Sequence, residues 1–307
     1  MAEVIGTVGP VLVRAGLFCA ITIMVGAATL RLIVLPRAGL RETHAAFHDH
    51  AGQLAAMAGL ASAIALVPVV GLILLVQALE FRDPFDAMGP QVQLLLTGTL
   101  WGRMWQVQIA LVVSSLIAYA ACRADGRVSR WWVAGILSTA VAMTPAMSGH
   151  SMAGGRFAVV ADGLHVLGAG VWLGGLAVLV TAFLWRPPDS GDDGVLLSSL
   201  ITSFSPVALG AATVVGLTGL FGAWLHVGDL TFLWTTAYGG TLSAKLGLVG
   251  AVALCGAYNW KRMRPQLAEA GMPDRFVRGP ARLELAFGLL VILITSLLIA
   301  MPLPLEG

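Results

Sequence analysis

Charge is what this sequence has least of. Asp, Glu, Lys and Arg make up 11% of its 307 residues, against about 25% in a soluble globular domain. Hydrophobic residues make up 58% and the mean hydropathy is +0.87, a composition that belongs in a lipid bilayer. The net charge of +2 is far from the basic surface a nucleic-acid binder needs, and no nucleic-acid partner is expected. Cysteine is also scarce. Cys19, Cys122 and Cys255 lie far apart with no CxxC among them, so neither a disulfide framework nor a thiolate metal site is indicated. A GxxxxGK[ST] phosphate loop is missing, so the chain encodes no ATP hydrolysis of its own, and no Ser–His–Asp arrangement suggests a membrane protease. These absences leave no enzyme class favoured. The start at Met1 lacks the basic residues of a cleaved signal peptide and reads as the approach to a first span.

Long apolar runs are what the sequence has in quantity. A span needs about 20 predominantly apolar residues. Eight runs qualify, at 10–35, 52–79, 93–122, 131–149, 157–185, 200–226, 240–260 and 281–302. The expected fold is an all-α integral membrane protein of eight transmembrane helices. Pro36, Pro145, Pro187 and Pro265 sit near run ends as stops, whereas Pro68 and Pro206 fall inside runs and predict kinks.

Basic residues set the orientation. With the N-terminus outside, 13 of the 18 Lys and Arg residues fall on the inner side, among them Arg31, Arg37, Arg41, Arg127 and Arg130. Both termini are therefore expected outside, facing the periplasm of a Gram-negative cell. Trp101, Trp105, Trp224 and Trp234 near outer ends, and Trp131, Trp132, Trp185 and Trp260 near inner ends, read as interface belts.

A weak internal repeat is visible. TGTLWGRMWQVQ (97–108) resembles TTAYGGTLSAK (235–245), matching Trp101-Gly102 to Tyr238-Gly239 and Gln108 to Lys245. The first span also lies over the fifth, with Phe18 at His165. This pattern suggests two parallel four-helix halves, one way to build a membrane carrier. The expected division is a first helical region over 1–130 and a second over 131–307.

The chemistry concentrates in Met143–Trp172, which holds two of the six histidines and three of the eleven methionines. Met143, Met147 and His150 share one helical face at i, i+4, i+7. After a Gly-rich turn containing Met152, Asp162, His165 and Trp172 share a face on the next helix. Thioether and imidazole ligands suit Cu(I). His165 lies about 12 Å into its span at 1.5 Å per residue, where an ionisable group points to function. The expected arrangement is a ladder on the outer side, with His150 and Met152 at the mouth, Met147 and Asp162 next, and Met143 and His165 deepest. The ordinary alternative is that these methionines fill apolar gaps.

Other polar groups stand near the same level. His226 and Asp229 follow the sixth span, and Lys245 enters the seventh, where it must either snorkel or pair with Asp162 or Asp229. Glu80 and its neighbours read as loop solvation. His44, His48 and His50 occupy an inner loop. The i, i+4 spacing of His44 and His48 allows metal chelation if helical, but a solvated histidine-rich loop is the favoured reading.

SGH (148–150), DGLHVLGAGVWLGGL (162–176) and the run from SFSPVALG to GAYN (203–259), in this order, resemble the CopD family of bacterial copper-resistance membrane proteins. The first half is similar more loosely, through LLTGTLWGRMW. The resemblance implies an eight-span build and copper transport or homeostasis at the inner membrane. It also implies a separate periplasmic copper-binding partner of the CopC type. By position it points to His150, Asp162, His165, Trp172, Tyr238 and Lys245. The residues alone leave an alternative open: a redox or assembly protein with a fixed copper or haem site. Bis-His haem requires two facing histidines, for which His150 and His165 are the candidates.

Overall fold

In hydrocarbon no water is available to backbone N–H and C=O groups, so a crossing segment must satisfy them internally. Helices do this throughout a computed structural model that describes residues 2–301 except 84, 86, 149–153, 187–192, 228–230 and 267–274. Among the described residues there is no strand.

Among the described residues, eight long helices carry the fold. Seven are long and apolar enough to cross a membrane: α1 (Val8–Ala38), α2 (Ala45–Glu80), α3 (Leu100–Asp125), α5 (Gly155–Leu184), α6 (Gly194–Leu225), α7 (Ala237–Leu254) and α8 (Arg282–Ala300). The remaining helix, α4 (Val128–Met143), has 16 residues. At 1.5 Å per residue it reaches about 24 Å, short of a hydrocarbon core of about 30 Å. The 3₁₀ turn Pro145–Met147 continues it.

Burying a leucine against a leucine gains little when the lipid is equally apolar, so close backbone approach and buried hydrogen bonds hold such bundles together. Both occur here. A Cβ on Gly26 of α1 would run into the backbone of Gly174 and Gly175 in α5, so these helices cross nearly backbone to backbone. On the other side of α1, the buried Tyr119 hydroxyl lies 2.7 Å from the Met24 carbonyl and 2.9 Å from Ser138 Oγ. The Tyr119 ring meets Trp131 edge to face at 5.9 Å. Trp131, expected at the inner interface, is thus a core residue with 1% of its surface exposed. Trp132, Trp185, Trp224 and Trp234 are exposed, as belt residues should be.

The third span differs from the continuous run expected over 93–122. It breaks into a short helix, Met88–Gly98, and α3, which starts at Leu100. Thr99 makes the corner. Its hydroxyl donates to the Leu95 carbonyl (2.6 Å) and accepts from the Gly102 N–H (2.9 Å). A Cβ at Gly102 would strike the Leu95 carbonyl. The same corner recurs before α7. Thr236 donates to the Phe232 carbonyl (2.7 Å) and accepts from Gly239 N–H (3.0 Å), and a Cβ at Gly239 would strike Phe232. The sequence match of Trp101-Gly102 with Tyr238-Gly239 therefore marks two copies of one local structure.

The histidine-rich stretch is also not a solvated loop. His44 and His48 are each 8% exposed. His44 is the N-cap of α2, and Phe47 and Ala51 in its first two turns are fully buried, which draws the histidines in. His44 Nδ1 lies 3.0 Å from Thr43 Oγ1, and His48 Nδ1 3.3 Å from Asp49 Oδ1. His50 Nε2 is buried without a hydrogen-bond partner among the described residues. Pro68 and Pro206 lie within unbroken helical segments, as Pro10 does.

Candidate functional site

A cavity of about 860 Å³ lies within the bundle. Its lining residues run from Arg14, Glu80, Trp101 and Tyr238, near helix ends, down to Trp172, Leu173, Val252 and Gly288 well inside the bundle. Asp162, His165 and Trp172 line it together, as their spacing on one helical face predicts. Trp172 sits in a five-residue π-helical turn, Gly170–Gly174. Such a turn shifts the helical register and is frequent at functional sites. Tyr238 and Lys245 line the cavity from α7. Their counterparts in the repeat, Trp101 and Gln108, line it from α3, as do Phe18 and His165 from α1 and α5. These sequence-matched positions thus face one space but with different chemistry: Gln108 is neutral where Lys245 is cationic.

The hydrogen bonds around His165 fix its tautomer. His165 Nδ1 lies 3.1 Å from Thr218 Oγ1. The Thr218 hydroxyl spends its one hydrogen on the Val214 carbonyl at 2.6 Å, so towards His165 it is an acceptor. With Thr218 accepting, Nδ1 carries the proton and Nε2 keeps its lone pair, on a ring that lines the cavity. This is how a metal-binding histidine is usually prepared. Gly219 allows the geometry, because a Cβ there would lie 3.1 Å from His165 Cε1.

Lys245 lies within electrostatic reach of both His165 and Asp162. The Asp162 carboxylate offsets the ammonium, and pairing is the ordinary way to keep such groups at membrane depth. Arg14 and Glu80 add one charge of each sign near the rim, and Gln77 lines the cavity one turn below Glu80. Glu80 is therefore a cavity residue in place of the loop group expected.

The methionines are placed otherwise than the ladder expects. Met143 turns its sulfur and terminal methyl onto Gly163, filling the slot that glycine leaves, and does not line the cavity. Met147 is 39% exposed and also off the lining. Ser148, the first residue of the SGH motif, does line it. His150 and Met152 lie outside the described residues, as do Asp229 and the side chain of His226. No group of three His, Cys, Asp or Glu residues able to hold a metal is found among the described residues. Neither Cys19 nor Cys122 reaches the cavity.

Thr218, Gly219, Gln108, Gln77 and Arg14 were not singled out by the sequence as parts of a binding site. One signal was available for Thr218: a hydroxyl within an apolar span, where such residues bond back to the preceding turn. Gln108 is similar. It is 6% exposed and its amide donates to Thr144 Oγ1 at 2.9 Å.

Comparison with known proteins identifies the architecture. The pattern described as "Copper resistance protein D-like, N-terminal domain" matches residues 1–158, and that described as "Copper resistance protein D" matches residues 198–298. The chain belongs to the copper resistance protein D family. It is 27% identical over 215 residues to the copper transport protein CutJ of Bacillus subtilis (strain 168), covering 68% of this chain and 38% of that one. The chain thus spans well under half the length of that relative. No solved structure matches. Within this copper resistance protein D fold, the cavity draws on both matched regions, with Arg14, Trp101 and Gln108 from the first and Thr218, Tyr238 and Lys245 from the second. Asp162, His165 and Trp172 come from the segment between them.

Proposed function

We propose that this member of the copper resistance protein D family carries Cu(I) across a bacterial inner membrane, with the cavity opening to the periplasm and both termini on that side. The observation that carries the reading is His165 lining a cavity within the bundle, with its Nδ1 3.1 Å from Thr218 Oγ1, which leaves Nε2 as the nitrogen available to an ion. Cu(I) accepts such a nitrogen together with soft sulfur donors. The hairpin supplies the complement. His150 follows the cavity-lining Ser148 by two residues, and His150, Met147 and Met152 are the proposed collecting donors ahead of His165. Met143 joins them only if its side chain leaves Gly163. Trp172 walls the cavity below His165, and the Lys245–Asp162 pair balances charge beside the ion. Staggered donors suit transfer, since each site must bind and then release. A periplasmic CopC-like protein is the proposed source of the ion. His44 and His48, buried at the start of α2, and the half-buried His50 are a secondary candidate for the cytoplasmic side.

The cavity volume alone favours a second reading, a haem site. A bis-His haem needs two facing histidines; His165 lines the cavity, and the second would be His150, two residues beyond the cavity-lining Ser148. Uptake of Cu(I) into vesicles containing the purified protein tests the proposal. The expected result is uptake by the wild type and a loss of at least tenfold in His165→Ala. Equal uptake by both, or a Soret band in the purified protein, overturns it.

A further inference from the structure

A second concavity lies outside the cavity, where α1, α5 and α6 meet, with a volume of about 450 Å³. Two walls are regular. Leu164, Leu167, Gly168 and Val171 follow the i, i+3, i+4, i+7 spacing of one face of α5, and Val207, Gly210, Ala211 and Val214 repeat it on α6. Each stripe runs about 10 Å along its helix at 1.5 Å per residue. Small residues hollow the groove. At its floor α5 and α6 nearly touch, since a Cβ on Gly168 would lie 3.0 Å from Val215 Cγ2. Above Gly210 the space is open, with nothing within 4 Å of an added Cβ.

Only one charged residue lines this groove, Arg37, and no carboxylate does. Arg37 is exposed and lies one residue before the end of the α1 span. It forms no ion pair among the described residues, where the salt bridges involve His48, Arg127 and Arg130. An apolar slot ending in a free guanidinium at the membrane boundary has the chemistry of a phospholipid turned on its side. The guanidinium fork matches phosphate oxygens in a bidentate fashion, and the paired stripes receive an acyl chain.

We propose that this groove is a binding site for one anionic phospholipid, with its phosphate on Arg37 and an acyl chain along α5 and α6 over Gly210. Charge decides in favour of a lipid over a second copy of the chain. An apolar helix packed here would strand Arg37, whereas a lipid phosphate neutralises it where water and headgroups meet the hydrocarbon. The site lies at the opposite end of α1 from the Arg14 cavity rim and does not depend on the copper reading.

Native mass spectrometry of the full chain in detergent, titrated with phosphatidylglycerol and separately with phosphatidylethanolamine, tests the site. For the wild type one phosphatidylglycerol should be retained at least fivefold more tightly than phosphatidylethanolamine. In Arg37→Gln the preference should vanish, because the cation that favours a net-anionic headgroup over one carrying its own ammonium is gone while the acyl slot remains. In Gly210→Leu, whose side chain grows into open groove, retention of both lipids should fall at least fivefold. Gly210→Ala is the milder companion, expected to show a partial fall if the leucine variant is poorly folded. Unchanged retention in Gly210→Ala and Arg37→Gln overturns the proposal. So does a wild-type dimer that Gly210→Ala dissociates with no lipid bound, or displacement of the lipid by inorganic phosphate alone.

Discussion

Replacing Thr218 with valine removes one hydroxyl and keeps the side-chain shape. In the structure that hydroxyl accepts from His165 Nδ1 at 3.1 Å and donates to the Val214 carbonyl at 2.6 Å. The helix loses little, because the donated bond goes to a carbonyl within its own helix, and the unfolding temperature should stay within a few degrees. The imidazole loses the group that holds its proton on Nδ1. The loss should stay near one neutral hydrogen bond, about 1 kcal/mol. That corresponds to roughly fivefold in affinity, just below the 10–100-fold typical when a partner behind a metal ligand is removed. A competition titration with a chromophoric Cu(I) chelator in detergent reads this directly. Thr218→Ser, which restores the hydroxyl, should recover most of the affinity. Wild-type affinity in Thr218→Val would show that the bond does not prepare His165 for a metal, and Thr218→Ser as weak as valine would place the effect in packing.

Gly219→Ala places a Cβ 3.1 Å from His165 Cε1, so the ring must move a few tenths of an ångström. Copper affinity should fall about tenfold by the same titration with the unfolding temperature little changed. Asp162→Asn and Lys245→Gln each break an electrostatic pair, and each should lower the unfolding temperature more than the double variant does. Additive losses in that cycle would mean that the two charges do not interact. Gly239→Val drives a side chain into the Phe232 carbonyl at the corner before α7. It should abolish a monodisperse peak on size-exclusion chromatography, while Gly240→Val, with nothing within 4 Å, should not.

The spans and half of the cavity were legible because their signals are local. Apolar runs of about 20 residues are set by bilayer thickness, and Asp162, His165 and Trp172 share a face by helical period alone. The Thr–Gly corners could be read as a repeated motif, since Thr99 and Thr236 make the same two bonds. Facing between helices was not legible. Met143 is on the expected face of α4, yet the slot at Gly163 takes its sulfur away from the cavity, and only the packed pair reveals this. The same holds for Glu80 and Arg14, which sequence places at span ends and packing turns into the rim. His44 and His48 read as loop residues because their polarity hides the apolar Phe47 and Ala51 beside them, which bury that turn.

Cu K-edge X-ray absorption of the Cu(I)-loaded protein, compared with His165→Ala and Thr218→Val, tests the copper site most directly. The account predicts imidazole scattering in the wild-type spectrum that weakens in His165→Ala, together with sulfur scattering that persists in both. Identical spectra from the wild type and His165→Ala, with equal bound copper, would contradict it.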